Sequence, residues 1–149
     1  MAHSKLLIFK LGNGKYACDT IYVDRIVKYE NLTYLPSEQS TLEGLYNYEG
    51  DVIKIYNLSK RLGIKSEDDK THKKIIIVKN KSVLVGIIVD EVLEVFNYYG
   101  EDQENSGVED ICKLEKLDFK YVKDMILIDD EIVIYLSIIK IVKDELKES

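Results

Sequence analysis

The chain has 149 residues, of which 46% are hydrophobic and 32% charged, and its formal net charge at pH 7 is −6. The acidic balance argues against nucleic acid as a partner, because binding to phosphates depends on lysine and arginine. The apolar runs are shorter than the ~20 residues that span a bilayer, so direct membrane insertion is not expected. The N-terminus also lacks the apolar core of a signal peptide. We therefore expect a cytoplasmic protein.

Short segments rich in β-branched residues alternate with turn residues along most of the chain, which is the pattern of an all-β protein. The first strand, 6–11, ends at the turn Gly12-Asn13-Gly14, and a second strand follows at 15–19. Residues 20–27 fit one irregular helical turn that runs into a strand. Further strands or hairpins are predicted at 44–57, 74–80, 82–90, 91–99 and 125–136.

A unit of strand, tight turn, strand and short helix at 41–62 returns at 123–142. The turn of the first copy is Glu49-Gly50-Asp51. Asn57 and Ser137 fall at the same place in the two copies. Both are predicted to cap a helix, since a short side-chain oxygen accepts hydrogen bonds from the free N–H groups of the first turn. The repeat predicts a protein built from two similar β units.

Tyrosine is abundant, with eleven residues and no tryptophan. Tyr46 and Tyr48 alternate along the first hairpin and so share one of its faces, and Tyr56 joins them if the turn register allows. One interpretation is a half-buried sheet face with hydroxyl groups at its rim. The other is an exposed aromatic patch for a protein partner, because tyrosine is enriched at interfaces.

The sequence lacks the arrangements that catalysis requires. Phosphate-binding glycine loops, the serine-hydrolase motif and the zinc-protease motif are all absent. His3 and His72 have no ligand set around them, and the distant Cys18 and Cys112 are predicted to be ordinary apolar residues. The acidic segment 101–110 lacks the regular ligand spacing of an EF-hand. We therefore expect no enzyme, no metal and no cofactor.

Three motifs occur in order along the chain. The opening pattern F-x-L-G-x-x-x-Y-x-x-D is met by Phe9, Leu11, Gly12, Tyr16 and Asp19. The central pattern G-x-x-N-L-R-G-x-x-x-P-x-x-D-L is met in part, by Gly44, Asn47, Gly50 and Leu58. The later pattern V-G-x-x-V-D-x-V is met by Val85, Gly86, Val89, Asp90 and Val92. Through these motifs the chain, from about Leu6 to Val142, resembles CheW, the chemotaxis coupling protein, and the matching regulatory domain of the histidine kinase CheA.

The resemblance implies a mainly β fold of two pseudo-symmetric SH3-like five-stranded β-barrels, with short helices and a C-terminal helix. We expect one domain, 1–149, with a first lobe of approximately 1–65, to which the C-terminal segment can return, and a second lobe of 74–136. The function implied is that of a non-enzymatic adaptor in chemotaxis signal transduction. Its implied partners are the regulatory domain of a CheA-type histidine kinase and the cytoplasmic tip of a chemoreceptor.

Matching positions carry the family's contacts onto this chain. The resemblance implies kinase-binding residues at Leu7, Thr20 and Val23. It implies a receptor-binding surface at Arg25, Asn47, Glu49, Val85 and Gly86.

Two departures from the family pattern fit together. The arginine of N-L-R-G is Glu49 here, and the glutamate of the family's V-x-E-I is Arg25. A double reversal keeps the attraction between opposite charges, so we hypothesise a salt bridge of reversed polarity between these two residues. The reversed pair could alter partner choice, because it repels a partner suited to the original charges. Alternatively it only pins the strand.

Three other functions stay open. A diverged binding module of the same fold could serve a different two-component or protein assembly. A small hydrolase or phosphatase could use the acidic segment 101–110. A third possibility is a structural unit that only self-assembles.

Overall fold

The structure is a computed structural model that describes residues 2–66, 68–100 and 119–147. Cys112 and the acidic segment 101–110 therefore lie outside the described residues. The strands are β1 (Ala2–Leu11), β2 (Gly14–Asp19), β3 (Val23–Lys28), β4 (Leu42–Tyr48), β5 (Asp51–Asn57), β6 (Lys74–Asn80), β7 (Val83–Val89), β8 (Glu91–Gly100), β9 (Val122–Ile128) and β10 (Glu131–Leu136). The α-helices are α1 (Leu58–Leu62) and α2 (Ile138–Lys147), and 3₁₀ turns lie at Thr20–Tyr22 and Phe119–Tyr121.

Local side-chain chemistry sets the ends of the helices, as predicted. Asn57 Oδ1 accepts a hydrogen bond from the Lys60 amide at 3.1 Å and so caps α1. The helix ends at Gly63, whose φ of +70° is a left-handed conformation that glycine adopts without a steric penalty. Ser137 Oγ accepts from the Lys140 amide at 3.5 Å and caps α2 in the same way.

The strands form two five-stranded sheets with the same internal plan. Barrel A has the strand order β8-β1-β2-β10-β9, and barrel B has the order β3-β6-β7-β5-β4. In each sheet the third and fourth strands run parallel, and the other neighbours are antiparallel. The two repeat units become β4-β5-α1 and β9-β10-α2. The expected mainly β fold of two pseudo-symmetric five-stranded barrels is confirmed.

Strand membership differs from the lobes expected at 1–65 and 74–136. The β1–β2 hairpin pairs with β8 on one edge and with β10 on the other, so the first strands belong to the same barrel as the last ones. Barrel B is the contiguous part, β3 to β7. The prediction let the C-terminal segment return to the first lobe but otherwise followed chain order. The structure instead joins β1 and β2 to strands distant in sequence on both edges, and it places β3, β4 and β5 in the other barrel.

Three apolar clusters follow from the alternation of side chains along the strands. Along β1, Leu6 and Ile8 point into barrel A, while Leu7 and Phe9 point the other way. The interior of barrel A is formed by Leu6, Ile8, Ala17, Val133 and Tyr135. The interior of barrel B is formed by Tyr48, Ile53, Ile55, Ile75, Ile77 and Ile88. Between the barrels lies a shared layer to which both sheets and both helices contribute, including Leu7, Phe9, Leu58, Leu62, Ile76, Ile87, Ile138, Ile141 and Val142.

The tyrosines of the first hairpin pack inward. Tyr46 and Tyr48 share a face, as predicted, and pack with the interior of barrel B. Tyr56 does not join them, because the two-residue turn pairs Tyr46 with Ile53 and so turns Tyr56 to the opposite face. It is 1% exposed in the shared layer. These three tyrosines therefore do not form an exposed aromatic patch.

Candidate functional site

The tip of the β4–β5 hairpin presents Glu49 to solvent. Glu49 and Gly50 have φ angles of +53° and +91°, the pattern of a type I′ hairpin turn. Asn47 Oδ1 accepts a hydrogen bond from the Gly50 amide at 3.0 Å, which holds the turn closed. A glutamate in a left-handed conformation is strained, so this turn holds Glu49 in place at the expense of some backbone energy.

The hypothesised pairing of Arg25 with Glu49 is confirmed. Arg25 Nη1 lies 3.0 Å from Glu49 Oε1, and the two side chains are 58% and 62% exposed. The guanidinium also lies 5.5 Å from the centroid of the Tyr48 ring, within the range of a cation–π interaction. An exposed pair of this kind contributes about 0–1 kcal/mol to stability.

A hydrogen bond lies beside this ion pair. The Tyr48 hydroxyl donates to Asp24 Oδ2 at 2.6 Å, which links β4 to β3, the two edge strands of barrel B. The register of β3 against β6 shifts between Val23 and Arg25, so Asp24 is the extra residue of a bulge. The hydrogen bond to Asp24, with burial as a second cause, raises the pKa of Tyr48 to about 12.

An apolar residue that the sequence interpretation missed completes this surface. Val52 stands directly opposite Asn47 in the hairpin and is 71% exposed. The signal was present in the sequence, because Val52 alternates with the inward Ile53 and Ile55 along β5. We call Arg25, Asn47, Glu49 and Val52 the hairpin surface.

Val85 and Gly86 are buried, so the structure separates them from Arg25, Asn47 and Glu49, the other predicted receptor-binding residues. Val85 is 2% exposed in the shared layer. Gly86 is buried, and a Cβ there would come within 2.7 Å of Ile75 Cγ2 and closer still to Ile55 Cδ1. The reason is that β7 is the central strand of barrel B, covered on both faces and flanked on both edges.

Leu7 also needs correction, because its side chain is only 4% exposed and packs in the shared layer. Thr20 and Val23, the other kinase-side candidates, are half-buried. Between them the 3₁₀ turn holds Ile21 78% exposed and Tyr22 38% exposed. Sequence reasoning placed Ile21 in an irregular helical turn and gave it no role in binding. We call residues 20–23 the turn surface.

Asp19 fixes the shape of the turn surface. Its Oδ1 accepts a hydrogen bond from the Ile21 amide at 3.0 Å and caps the 3₁₀ turn, which leaves the Ile21 side chain pointing away from the apolar layers. Val23 begins β3, and Arg25 follows two residues later on the same strand. The turn surface therefore lies where β2 of barrel A passes into β3 of barrel B, the strand that carries Arg25 of the hairpin surface.

Among the described residues, no three histidine, cysteine or acidic side chains are grouped so that they could hold a metal ion. Neither of the helices found there is long and apolar enough to cross a membrane. The arrangement is suited to contact with other macromolecules through exposed polar and apolar side chains.

Comparison with known proteins gives a consistent result. The profile of the "CheW-like domain" matches residues 5–146. The "Chemotaxis protein CheW" of Thermotoga maritima is 31% identical over 140 residues, which cover 94% of this chain and 88% of that protein. Its counterpart in Bacillus subtilis is 28% identical over 102 residues, which cover 68% of this chain and 65% of that protein. The crystal structure of the scaffolding protein TtCheW from Thermoanaerobacter tengcongensis is similar with a TM-score of 0.78 at 27% identity, covering 92% of this chain and 86% of that one.

Proposed function

The chain belongs to the CheW-like family, and from this premise we propose that it is a non-enzymatic adaptor that couples chemoreceptors to a CheA-type histidine kinase. The observation that carries the proposal is its likeness to a scaffolding protein over 92% of its length. The cytoplasmic tip of the receptor as a partner also implies that the adaptor works in the cytoplasm.

The hairpin surface is the proposed receptor contact. It combines the exposed Val52 of β5 with the ion pair of Arg25 and Glu49, and so offers an apolar side chain and both signs of charge. Such a surface suits a helical tip that presents an apolar side chain among charged neighbours, because the apolar contact supplies affinity and the charges fix orientation.

The turn surface is the proposed kinase contact. Ile21 has the largest exposed fraction among the exposed large hydrophobic side chains of the described residues, and the Asp19 cap holds it in one position. A preorganised apolar side chain loses little conformational entropy on binding and can fill a pocket on the partner. Thr20 and Val23 would border that contact. Leu7 would support it from the shared layer.

Isothermal titration calorimetry with the CheA regulatory domain and a receptor tip fragment from the same organism tests the proposal. Ile21→Asp should weaken kinase binding by about tenfold or more, and Val52→Asp should weaken receptor binding to a similar degree, because each buries an unpaired charge. Leu127→Asp is the matched control, since Leu127 is 68% exposed on β9 and lies on neither surface. If the unmodified protein binds neither fragment, the proposed function fails.

The reversed charges of Arg25 and Glu49 support a second candidate function. A receptor suited to the family's original charges would meet like charges at both positions, which disfavours binding. The chain would then serve a different assembly with the same fold. Binding of the kinase domain without binding of the receptor tip would favour this second candidate.

A further inference from the structure

A buried carboxylate joins the two barrels where the chain crosses between them. Asp90 stands between β7 of barrel B and β8 of barrel A and is 4% exposed. Its Oδ2 accepts from the Gly12 amide at 2.7 Å, and its Oδ1 accepts from Ser66 Oγ at 2.6 Å. Lys73 Nζ lies 3.7 Å from Asp90 Oδ1. Asp90 thus ties the β1–β2 turn of barrel A to the connector that leads into barrel B.

The Gly12 turn is shaped for this contact. Gly12 has a φ of +59°, and a Cβ there would lie 2.5 Å from the carbonyl oxygen of Lys65. Only glycine therefore allows the turn to approach the connector closely enough for its amide to reach Asp90. The Asp90 amide in turn donates to the Lys10 carbonyl at 3.0 Å. Asp90 is therefore held to the β1–β2 hairpin by two backbone groups of that hairpin, the Gly12 amide and the Lys10 carbonyl.

A second buried carboxylate joins the barrels at the helices. Glu145 of α2 is 1% exposed and forms an ion pair with Arg61 of α1. Thr41 Oγ1 donates to Glu145 Oε1 at 3.0 Å, and Gln39 Nε2 donates to the Glu145 carbonyl at 3.1 Å. The α2 helix continues barrel A, whereas α1 and Thr41 flank the β4–β5 hairpin of barrel B.

These two clusters differ in kind from the apolar layer between the barrels. Hydrophobic contact is non-directional, so an apolar layer alone tolerates small changes of angle. Buried charge-assisted hydrogen bonds are short and directional, and a displaced partner leaves a charge unsolvated. Two such clusters at separate places fix the angle as well as the distance between the barrels.

We propose that Asp90 and Glu145 are positioning residues that set the angle between barrel A and barrel B, and that this fixed angle transmits receptor binding to the kinase. The claim that the angle transmits receptor binding to the kinase rests on the proposed function. The hairpin surface belongs to barrel B, whereas the 3₁₀ turn that carries Ile21 lies mainly against β1 of barrel A. A change of angle therefore alters the geometry in which receptor and kinase are held, without altering either contact surface.

Pulsed electron paramagnetic resonance measures the distance between two spin labels, one on each barrel, without any partner. A change of the angle between the barrels changes this distance. Spin labels at Val83→Cys of barrel B and Leu127→Cys of barrel A occupy exposed positions, while Cys18 is buried and Cys112 is replaced by serine. We expect Asp90→Asn and Glu145→Gln to widen the distance distribution about twofold, as for a loosened domain joint. Glu131→Gln is the control, because it breaks the exposed Lys15–Glu131 ion pair within barrel A. Unchanged distributions in both folded variants overturn the proposal.

Thr41→Val keeps the test decisive if Glu145→Gln fails to fold. It removes one hydrogen bond to Glu145 and leaves the ion pair with Arg61 in place. A distribution wider than that of the control supports the positioning role, and an unchanged one overturns it.

Kinase assays with receptor arrays then test transmission. We expect the positioning variants to bind the kinase domain and the receptor tip with normal affinity, yet to lower receptor-dependent kinase activation by about fivefold or more. Full activation despite a widened distance distribution overturns the transmission step. If even the unmodified protein binds neither partner, the proposed function fails, and the spin-label distances alone decide the positioning role.

Discussion

The Tyr98 hydroxyl donates a 2.6 Å hydrogen bond to Asp124 Oδ2, which connects β8 to β9 across the open side of barrel A. The Tyr48–Asp24 bond does the same between β4 and β3 of barrel B, also at 2.6 Å. In barrel A the tyrosine is on the strand that begins the sheet order, and in barrel B it is on the strand that ends it. Each barrel is thus closed by a hydrogen bond from a tyrosine to an aspartate. The edge strand that carries the tyrosine in one barrel corresponds to the edge strand that carries the aspartate in the other.

Replacing Tyr98 with phenylalanine should loosen the closure of barrel A. We expect the free energy of unfolding to fall by about 1–2 kcal/mol, because a hydrogen bond to a charged group is lost and Asp124 keeps its charge in a half-buried place. Urea denaturation measures this. Tyr99→Phe is the control, since Tyr99 is 60% exposed, and it should change stability little. Equal effects of the two variants would contradict a closing role.

Tyr48 should make stability depend on alkaline pH. Its pKa is about 12 in the folded protein and about 10 in an unfolded chain. Between these values the unfolded chain has released the proton and the folded protein retains it, so rising pH favours unfolding. The stabilising effect is complete below about pH 10 and is lost towards about pH 12. The stability advantage of the unmodified protein over Tyr48→Phe should therefore shrink between about pH 10 and pH 12, and a constant difference would refute this linkage.

The ion pair at the hairpin surface can be tested by charge exchange. Arg25→Glu alone puts two carboxylates together and should lower stability by about 0.5–1 kcal/mol. Adding Glu49→Arg restores opposite charges and should recover most of that loss. Binding to the receptor tip should respond more strongly than stability, because the double variant carries the family's original polarity. If the double variant recovers none of the lost stability, the ion pair of Arg25 with Glu49 does not stabilise the protein in solution.

Gly86 should prove to be a packing residue. Gly86→Ala places a methyl group against Ile55 and Ile75, both 0% exposed, and overpacking of this kind costs about 1–3 kcal/mol. Ser82→Ala, in the exposed turn before β7, is the control and should be nearly neutral. Receptor affinity of the folded Gly86→Ala protein should be unchanged. A loss of receptor affinity at normal stability would contradict this prediction and indicate that Gly86 contributes to the receptor contact.

Features governed by neighbours in sequence were predictable. The helix caps at Asn57 and Ser137 each depend on a few adjacent residues, and both are present. The ion pair of Arg25 with Glu49 was also predictable, although the residues are on different strands, because two compensating charge exchanges point to one contact.

Features governed by long-range pairing were not predictable. Leu7 was expected at a surface, yet β1 is flanked by β2 and β8 and covered by the shared layer, and nothing near Leu7 in sequence encodes those partners. Ile21 shows the opposite error. It was not named as a candidate contact, yet the Asp19 cap turns it outward. The face of Tyr56 depended on the register of one turn, where a single residue decides between the two sides.

The interleaved strand order has a consequence for the newly made protein. Barrel B is complete once residue 89 has left the ribosome, because its five strands are consecutive. The β1–β2 hairpin is synthesised first, yet its partner β10 ends only at Leu136. Domains generally fold as units, the N-terminal one first, whereas here all strands of barrel B are synthesised before barrel A has its full set. A ribosome that stops before β10 therefore releases a chain with every strand of barrel B, in which the β1–β2 hairpin can pair with β8 but lacks β10.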